Sequence, residues 1–353
     1  MNKERVSNIE LLRIVALWMI VVFHILAFTI CQVFSDASYI YKAIWLPLHV
    51  GVVLFILISG YFRIKPSTKG IIKLLSYMFV YTVPVGLIKI YYDGGGMIDI
   101  VKTCLFVSNS PYWFMRTYLC LYVASPIINK LLDISGAKQN LTIILILSFI
   151  ALYLGLAHFD ESLNSGKNVV NFSLIYILGA MINKYKIWEK YSRWSYLWIF
   201  LSMNLLEIFI YSVFAGNLIG EGFFYICFHY CSPILIFNAI MLFCFTLNFK
   251  FKSRIVNWAA RSALAIYLFH PIIVHSIIEP VTHYLYDYNS SFLFVFPLIL
   301  IIGAVTAIVC IMVDKLLSPI YYISGLLIPF FNRMIARIET KLDLLSERIE
   351  RIA

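Results

Sequence analysis

Residues 13–24 read RIVALWMIVVFH, an arginine and a histidine separated by ten apolar residues. The apolar run that holds them, near residues 9–30, is long enough to cross a hydrocarbon core of about 30 Å as an α-helix. Ionisable groups in such a helix cost several kcal/mol unless they face a cavity or a partner, so each needs a reason. Eleven residues at about 100° and 1.5 Å each leave the two side chains about 20° apart around the axis and about 16 Å apart along it. Arg13 and His24 therefore share one stripe of one helix, at two depths.

The rest of the chain repeats the membrane signal. Of 353 residues, 62% are hydrophobic and 13% charged, and the mean hydropathy is +0.88, values that exclude an ordinary soluble domain. Apolar runs fall near 9–30, 44–62, 71–91, 111–129, 141–157, 169–184, 194–214, 222–247, 262–283 and 292–317. They lack the alternation of a membrane β-barrel. The expected fold is an all-α membrane protein, a bundle of about ten transmembrane helices occupying residues 1–330.

With a cytoplasmic N-terminus, every lysine and arginine falls on the cytoplasmic side except Lys42, Lys89, Lys102, Arg116 and Lys167. The positive-inside rule then places both termini in the cytoplasm. The net charge of +10 is thus first a topology signal, and anionic membrane lipid accounts for most of it. Nucleic acid is not an expected partner. The first apolar run is too long for a cleavable signal peptide and reads as an uncleaved anchor.

In the tail, residues 331–353, Ile335, Ile338, Leu342, Leu345, Ile349 and Ile352 recur at spacings of three and four, the pattern of an amphipathic helix. A cytoplasmic helix lying on the membrane or on the bundle is expected, with homodimerisation as the alternative. The longest connection, 91–111, carries GGG and reads as a flexible turn followed by an interfacial stretch. The cysteines form no C-x-x-C pair and read as small core residues. Cys227, His229 and Cys231 resemble a metal cluster on paper, but residues two apart on one helix diverge, so no metal is expected.

Glu10, three residues before Arg13, is its natural helical partner. By the same depth reckoning His49, Arg116, Glu207 and His275 fall near the level of His24, with His229, His270 and Glu279 nearer one face or the other. A polar pocket in the outer half of the bundle is the expected result. Singly, each histidine also fits an interhelical hydrogen bond.

NIELLRIVALWMIVVFH at 8–24, LFILISGYF at 54–62, PYWFMRTYLCLYVASPII at 111–128 and SALAIYLFHP at 262–271, in that order and spacing, resemble the acyltransferase-3 family of integral membrane acyltransferases. The resemblance implies acyl transfer, most often of acetyl groups, from cytoplasmic acyl-CoA to a hydroxyl of a sugar or other extracytoplasmic acceptor. It puts the family's Arg-ten-residues-His motif on Arg13 and His24, its serine-glycine turn on Ser59 and Gly60, and its fourth-helix motif on Trp113 and Arg116. On this reading Glu10, Arg13, Ser59, Arg63 and Lys65 serve the acetyl-CoA phosphates and arm. His24 is then the general base or a transient nucleophile, and Arg116 stabilises the oxyanion or holds an anionic acceptor. His49, Trp113, Glu207 and His275 are further pocket candidates. The acceptor would be a cell-surface polysaccharide or its lipid-linked precursor, at a bacterial inner or plasma membrane. The rival class is a transporter or flippase for a glycan or small anionic substrate, which also buries charge but commonly shows internal repeats and paired broken helices.

Overall fold

A computed structural model describes residues 6–30, 38–108, 112–157, 164–282, 292–326 and 328–352. The structure is 87% helical, with no strand among the described residues. In chain order the helices are α1 (Ser7–Ile25), α2 (Ser38–Leu48), α3 (Val50–Phe62), α4 (Thr68–Asp93), α5 (Met97–Cys104), α6 (Trp113–Ile134), α7 (Ala137–Leu152) and α8 (Val169–Tyr185). There follow α9 (Arg193–Phe214), α10 (Leu218–Phe228), α11 (Pro233–Leu247), α12 (Arg254–Ala259), α13 (Ala263–Ile273), α14 (Phe292–Leu316), α15 (Ser318–Gly325) and α16 (Ile328–Ile352). Polar caps set several starts: Ser67 accepts from the Gly70 N–H, Asn168 from Asn171, Asn217 from Ile219 and Gly220, and Ser253 from Val256, each satisfying an amide that the first turn leaves open.

Among the described residues, seven helical stretches are long and apolar enough to span a membrane: Ser7–Thr29, Tyr41–Phe62, Thr68–Asp93, Ala137–Leu156, Arg193–Phe214, Arg254–Thr282 and Phe294–Leu316. The bent pair Leu218–Phe228 and Pro233–Leu247 makes an eighth if it is one span. Each of the ten expected runs holds a helix, but two fall short as spans. α6 carries Arg116, Lys130 and Asp133 within its 22 residues, and α8 is an apolar helix of only 17 residues, most of its side chains buried against protein.

The expected continuous helix 222–247 is broken and bent by 50°. Ser232 caps the second half and Pro233 occupies its first turn, where the missing N–H costs nothing. Cys227 thus lies in the last turn of one helix while His229 and Cys231 lie in the break, so the single-helix geometry expected for those three residues does not apply. The 91–111 connection is not all turn: Met97–Cys104 is helical, with every side chain at least partly exposed. Cys31, His158 and His283 lie outside the described residues.

Two compact units emerge: residues 1–64 with 112–312, and residues 65–111 with 313–353. In the first, α3 sits centrally, packed on α1, α8 and α11; α1 also packs on α13, and α6 and α7 pack on α8. In the second, α4 packs with α5, α15 and α16. Within it Tyr77 and Tyr321 stack at 4.2 Å, and the Tyr321 hydroxyl donates to that of Tyr81 at 3.0 Å.

Among the described residues, three α-helices change to wider π-helical turns: α1 at Leu26–Ile30, α7 at Tyr153–Ala157 and α13 at Val274–Ile278. Such turns are costly and recur at functional sites. Two of them, Leu26–Ile30 and Val274–Ile278, pack against each other.

Candidate functional site

His24 is the penultimate residue of α1 and His270 lies in the last turn of α13, each just ahead of one of the paired π turns. Their rings meet across the α1–α13 contact, with His24 Nδ1 2.7 Å from His270 Nε2. His270 is fully buried, and its Nδ1–H donates to the Ile266 carbonyl one turn back at 2.8 Å. His24 is only partly buried. Phe28 stacks on its ring at 5.3 Å and 9°, and Phe23 adjoins it. Beyond Phe28, at 5.3 Å, lies His275, which is half exposed and 3.3 Å from the Glu279 carboxylate.

Phe23 links His24 to a second group. Its ring meets His49 edge-on at 4.8 Å, and His49 lies between Phe228 at 4.1 Å and Tyr230 at 4.7 Å. Tyr230 in turn touches Trp113 at 5.0 Å, over whose ring Lys167 sits at 5.5 Å. Burial draws the Lys167 amine below the ordinary lysine range. The chain here is pinned by Asn171, whose amide donates to the carbonyls of Gly166 and Tyr230, both at 3.0 Å. His229 bonds through Nδ1 to the Tyr225 carbonyl, and no group of three His, Cys, Asp or Glu among the described residues is placed to share a metal.

Toward the other end of α1, Arg13 pairs with Glu10 at 2.7 Å; their side chains are 23% and 8% exposed. The Arg13 guanidinium lies within electrostatic reach of the Tyr118 phenol on α6. Tyr118 is 3.2 Å from the Ser59 hydroxyl on α3, and Ser59 donates to the Phe55 carbonyl at 2.9 Å. Since that spends the single proton of Ser59, Tyr118 is the donor to Ser59. Arg63, at the end of α3, pairs with Asp133 at 2.6 Å and donates to the Asn129 carbonyl at 3.1 Å. Lys65 is exposed and belongs to the second unit.

The fold thus joins Arg13, Glu10 and Ser59 in one polar group through Tyr118. It gathers His24, His49 and His275 in another, with Trp113 at its edge through Tyr230. Glu207 is not in either: it is buried on α9, where it accepts from the Asn238 amide at 2.8 Å, with Cys227 nearby. Arg116 is exposed on α6. Tyr118, two residues past Arg116 in the fourth-helix motif, carries no sequence signal of its own. His270 is visible in YLFHP, but nothing in the sequence makes it the partner of His24.

A helical membrane bundle whose first helix carries an ion pair at one depth and a histidine pair about 16 Å further on defines a class: a multi-pass membrane protein with acid–base groups inside. Residues 6–313 match the acyltransferase-3 domain, an acyltransferase domain, and the chain belongs to that family. It is therefore a membrane acyltransferase. No curated protein and no solved structure matches it.

Proposed function

We propose that the chain is an O-acyltransferase that moves an acyl group, acetyl in the first instance, from cytoplasmic acyl-CoA to a hydroxyl of a cell-surface polysaccharide or its lipid-linked precursor. Family membership supports acyl transfer. The observation that carries the assignment of His24 is its pairing, 2.7 Å away, with a buried histidine. The proposed setting is the cell membrane of a bacterium, and the charge distribution supports both termini in the cytoplasm.

His24 accepts the proton of the acceptor hydroxyl as its oxygen attacks the thioester carbon. The new C–O bond forms, the C–S bond breaks, and the leaving thiolate takes the proton back from His24. No proton is gained or lost overall. Arg13, oriented by Glu10, meets the charged part of the donor at the near end of the stripe, with Arg63 as a further cation for its phosphates. Arg116 and the Trp113 group are assigned to the acceptor.

Purified protein in nanodiscs, given labelled acetyl-CoA and extracted surface glycan, tests the reading. His24→Ala is expected to lose acetyl transfer by about 10²-fold or more while still binding CoA. Transfer at the wild-type rate by His24→Ala would sink it.

A further inference from the structure

We infer that His270 is a positioning residue that fixes which nitrogen of His24 is free to act: it holds His24 in the Nδ1–H form, with the Nε2 lone pair as the basic atom. The inference rests on the proposed role of His24 for its catalytic consequence, but the proton arrangement itself follows from the contact geometry of two neutral rings.

The argument starts at the backbone. A carbonyl oxygen only accepts, so the 2.8 Å contact between His270 Nδ1 and the Ile266 oxygen requires a proton on Nδ1. A neutral imidazole carries one N–H, so His270 Nε2 is left with a bare lone pair. That lone pair lies 2.7 Å from His24 Nδ1, a distance that requires a proton between them, and the only source is His24. His24 therefore donates from Nδ1, and its Nε2 is the acceptor. In a histidine, the hydrogen bond at one ring nitrogen sets the state of the other.

The surroundings leave this arrangement little freedom. His270 is fully buried and Pro271 follows it within α13. Phe28 covers one side of the His24 ring and Phe23 adjoins it, which limits rotation of the ring about its bond to Cβ. When His24 takes a second proton at Nε2, its Nδ1–H still finds the His270 lone pair, so the imidazolium keeps its partner. Protonating both rings would set N–H against N–H across 2.7 Å, which forms no bond. The pair therefore works with one mobile proton, and that proton is on His24. This is the logic by which a carboxylate holds the histidine of a hydrolase triad in one tautomer, with a carbonyl-anchored imidazole in place of the carboxylate.

Nitrogen NMR of protein labelled at histidine, in nanodiscs, tests it without any reaction. The His24 signals, assigned by their loss in His24→Gln, are expected to show a protonated Nδ1 and a bare Nε2. The Nε2–H tautomer for His24 in the wild type would overturn the inference. In the transfer assay, His270→Leu removes the acceptor and is expected to lower kcat by about 10²- to 10⁴-fold with the donor KM within about twofold. His270→Gln, whose amide oxygen sits near the position of Nε2, is expected to recover most of that loss. A His270→Leu protein that folds and keeps kcat, or a folded His270→Gln no better than Leu, would also overturn it. Should His24→Ala still transfer acetyl while the wild-type tautomer is as stated, the function proposed for His24 fails and the pairing stands.

Discussion

Gly60 of α3 lies directly on the backbone of Tyr176 in α8, so close that a Cβ at Gly60 would collide with the Tyr176 carbonyl oxygen. One turn away the contact is reciprocated, since a Cβ at Gly179 would collide with the Leu57 carbonyl. Small residues let membrane helices approach at backbone distance, where dispersion contacts and not water exclusion hold them. α3 is the helix that α1, α8 and α11 share, so an error here spreads to the helix that carries His24.

Gly60→Ala and Gly179→Ala are each expected to destabilise the protein by about 1–3 kcal/mol or to prevent folding, because the clash is with backbone and no side chain can yield. Thermal unfolding in detergent, followed by size-exclusion retention, measures this. Gly222→Ala on α10, where a Cβ meets nothing within 4 Å, is the control and should leave the melting temperature equal or higher. Equal melting temperatures for all three variants would contradict the packing.

The turn after Gly60 is held by one hydroxyl. Tyr176 accepts from the Ile64 N–H at 2.8 Å and donates to the Asn129 carbonyl-type oxygen at 2.9 Å, while the Asn129 amide returns to the Ile64 carbonyl at 2.9 Å. Arg63 has φ of 54°, a left-handed conformation that costs a non-glycine residue about 1–2 kcal/mol. The network offsets that cost and aims Arg63 at Asp133. Tyr176→Phe should lower stability by about 1–3 kcal/mol, the penalty for a partly buried N–H left without a partner. Asn129→Ala should overlap with it, the double variant losing less than the two single losses added. Full additivity in a melting series would argue against a shared network.

Much of this could be read from the chain and some could not, for physical reasons. The relation of Arg13 to His24 is internal to one helix, so rise and rotation per residue fix it before any fold is known. The Glu10–Arg13 pair is legible on the same ground. The meeting of His24 with His270 spans 246 residues and depends on α1 and α13 being neighbours, which no local periodicity encodes. Tyr118 was hidden among aromatics that read equally well as core or interfacial belt. The break before α11 was legible, because Ser232–Pro233 is a cap followed by a first-turn proline, but apolar residues on both sides masked it. Glu207 shows the opposite error: depth alone put it level with His24, and only the α9–α11 contact reveals that its partner is Asn238.

Lys167 precedes α8 and sits over Trp113, with its amine held below the ordinary lysine range by burial. A lowered pKa means that the charged form is the disfavoured one in the folded state, so the amine becomes neutral at a lower pH than an exposed lysine does. Neutral amines are the nucleophiles in acylation by anhydrides. In a series of brief acetic anhydride pulses at rising pH, read by peptide mass spectrometry, Lys167 should reach half-labelling at lower pH in the folded protein than in protein unfolded by detergent and heat. Half-labelling of Lys167 only at higher pH in the folded protein would show that its surroundings favour the charge instead.

The Ser59–Tyr118 contact makes a prediction that separates donor binding from chemistry. Ser59 spends its proton on Phe55, so Tyr118 donates to Ser59, and the phenol lies within electrostatic reach of Arg13. Removing the hydroxyl deprives Arg13 of a dipole that orients it and leaves His24, about 16 Å up the same stripe, untouched. Tyr118→Phe should therefore raise the KM for acetyl-CoA by about 3- to 10-fold, the value of one hydrogen bond near a charge, with kcat within about twofold. Arg13→Ala should raise the same KM further, and the combined variant should add little to Arg13→Ala because the hydroxyl acts through the guanidinium. A fall in kcat at constant KM for Tyr118→Phe would place Tyr118 with the reacting atoms and break the division of labour between the two ends of α1.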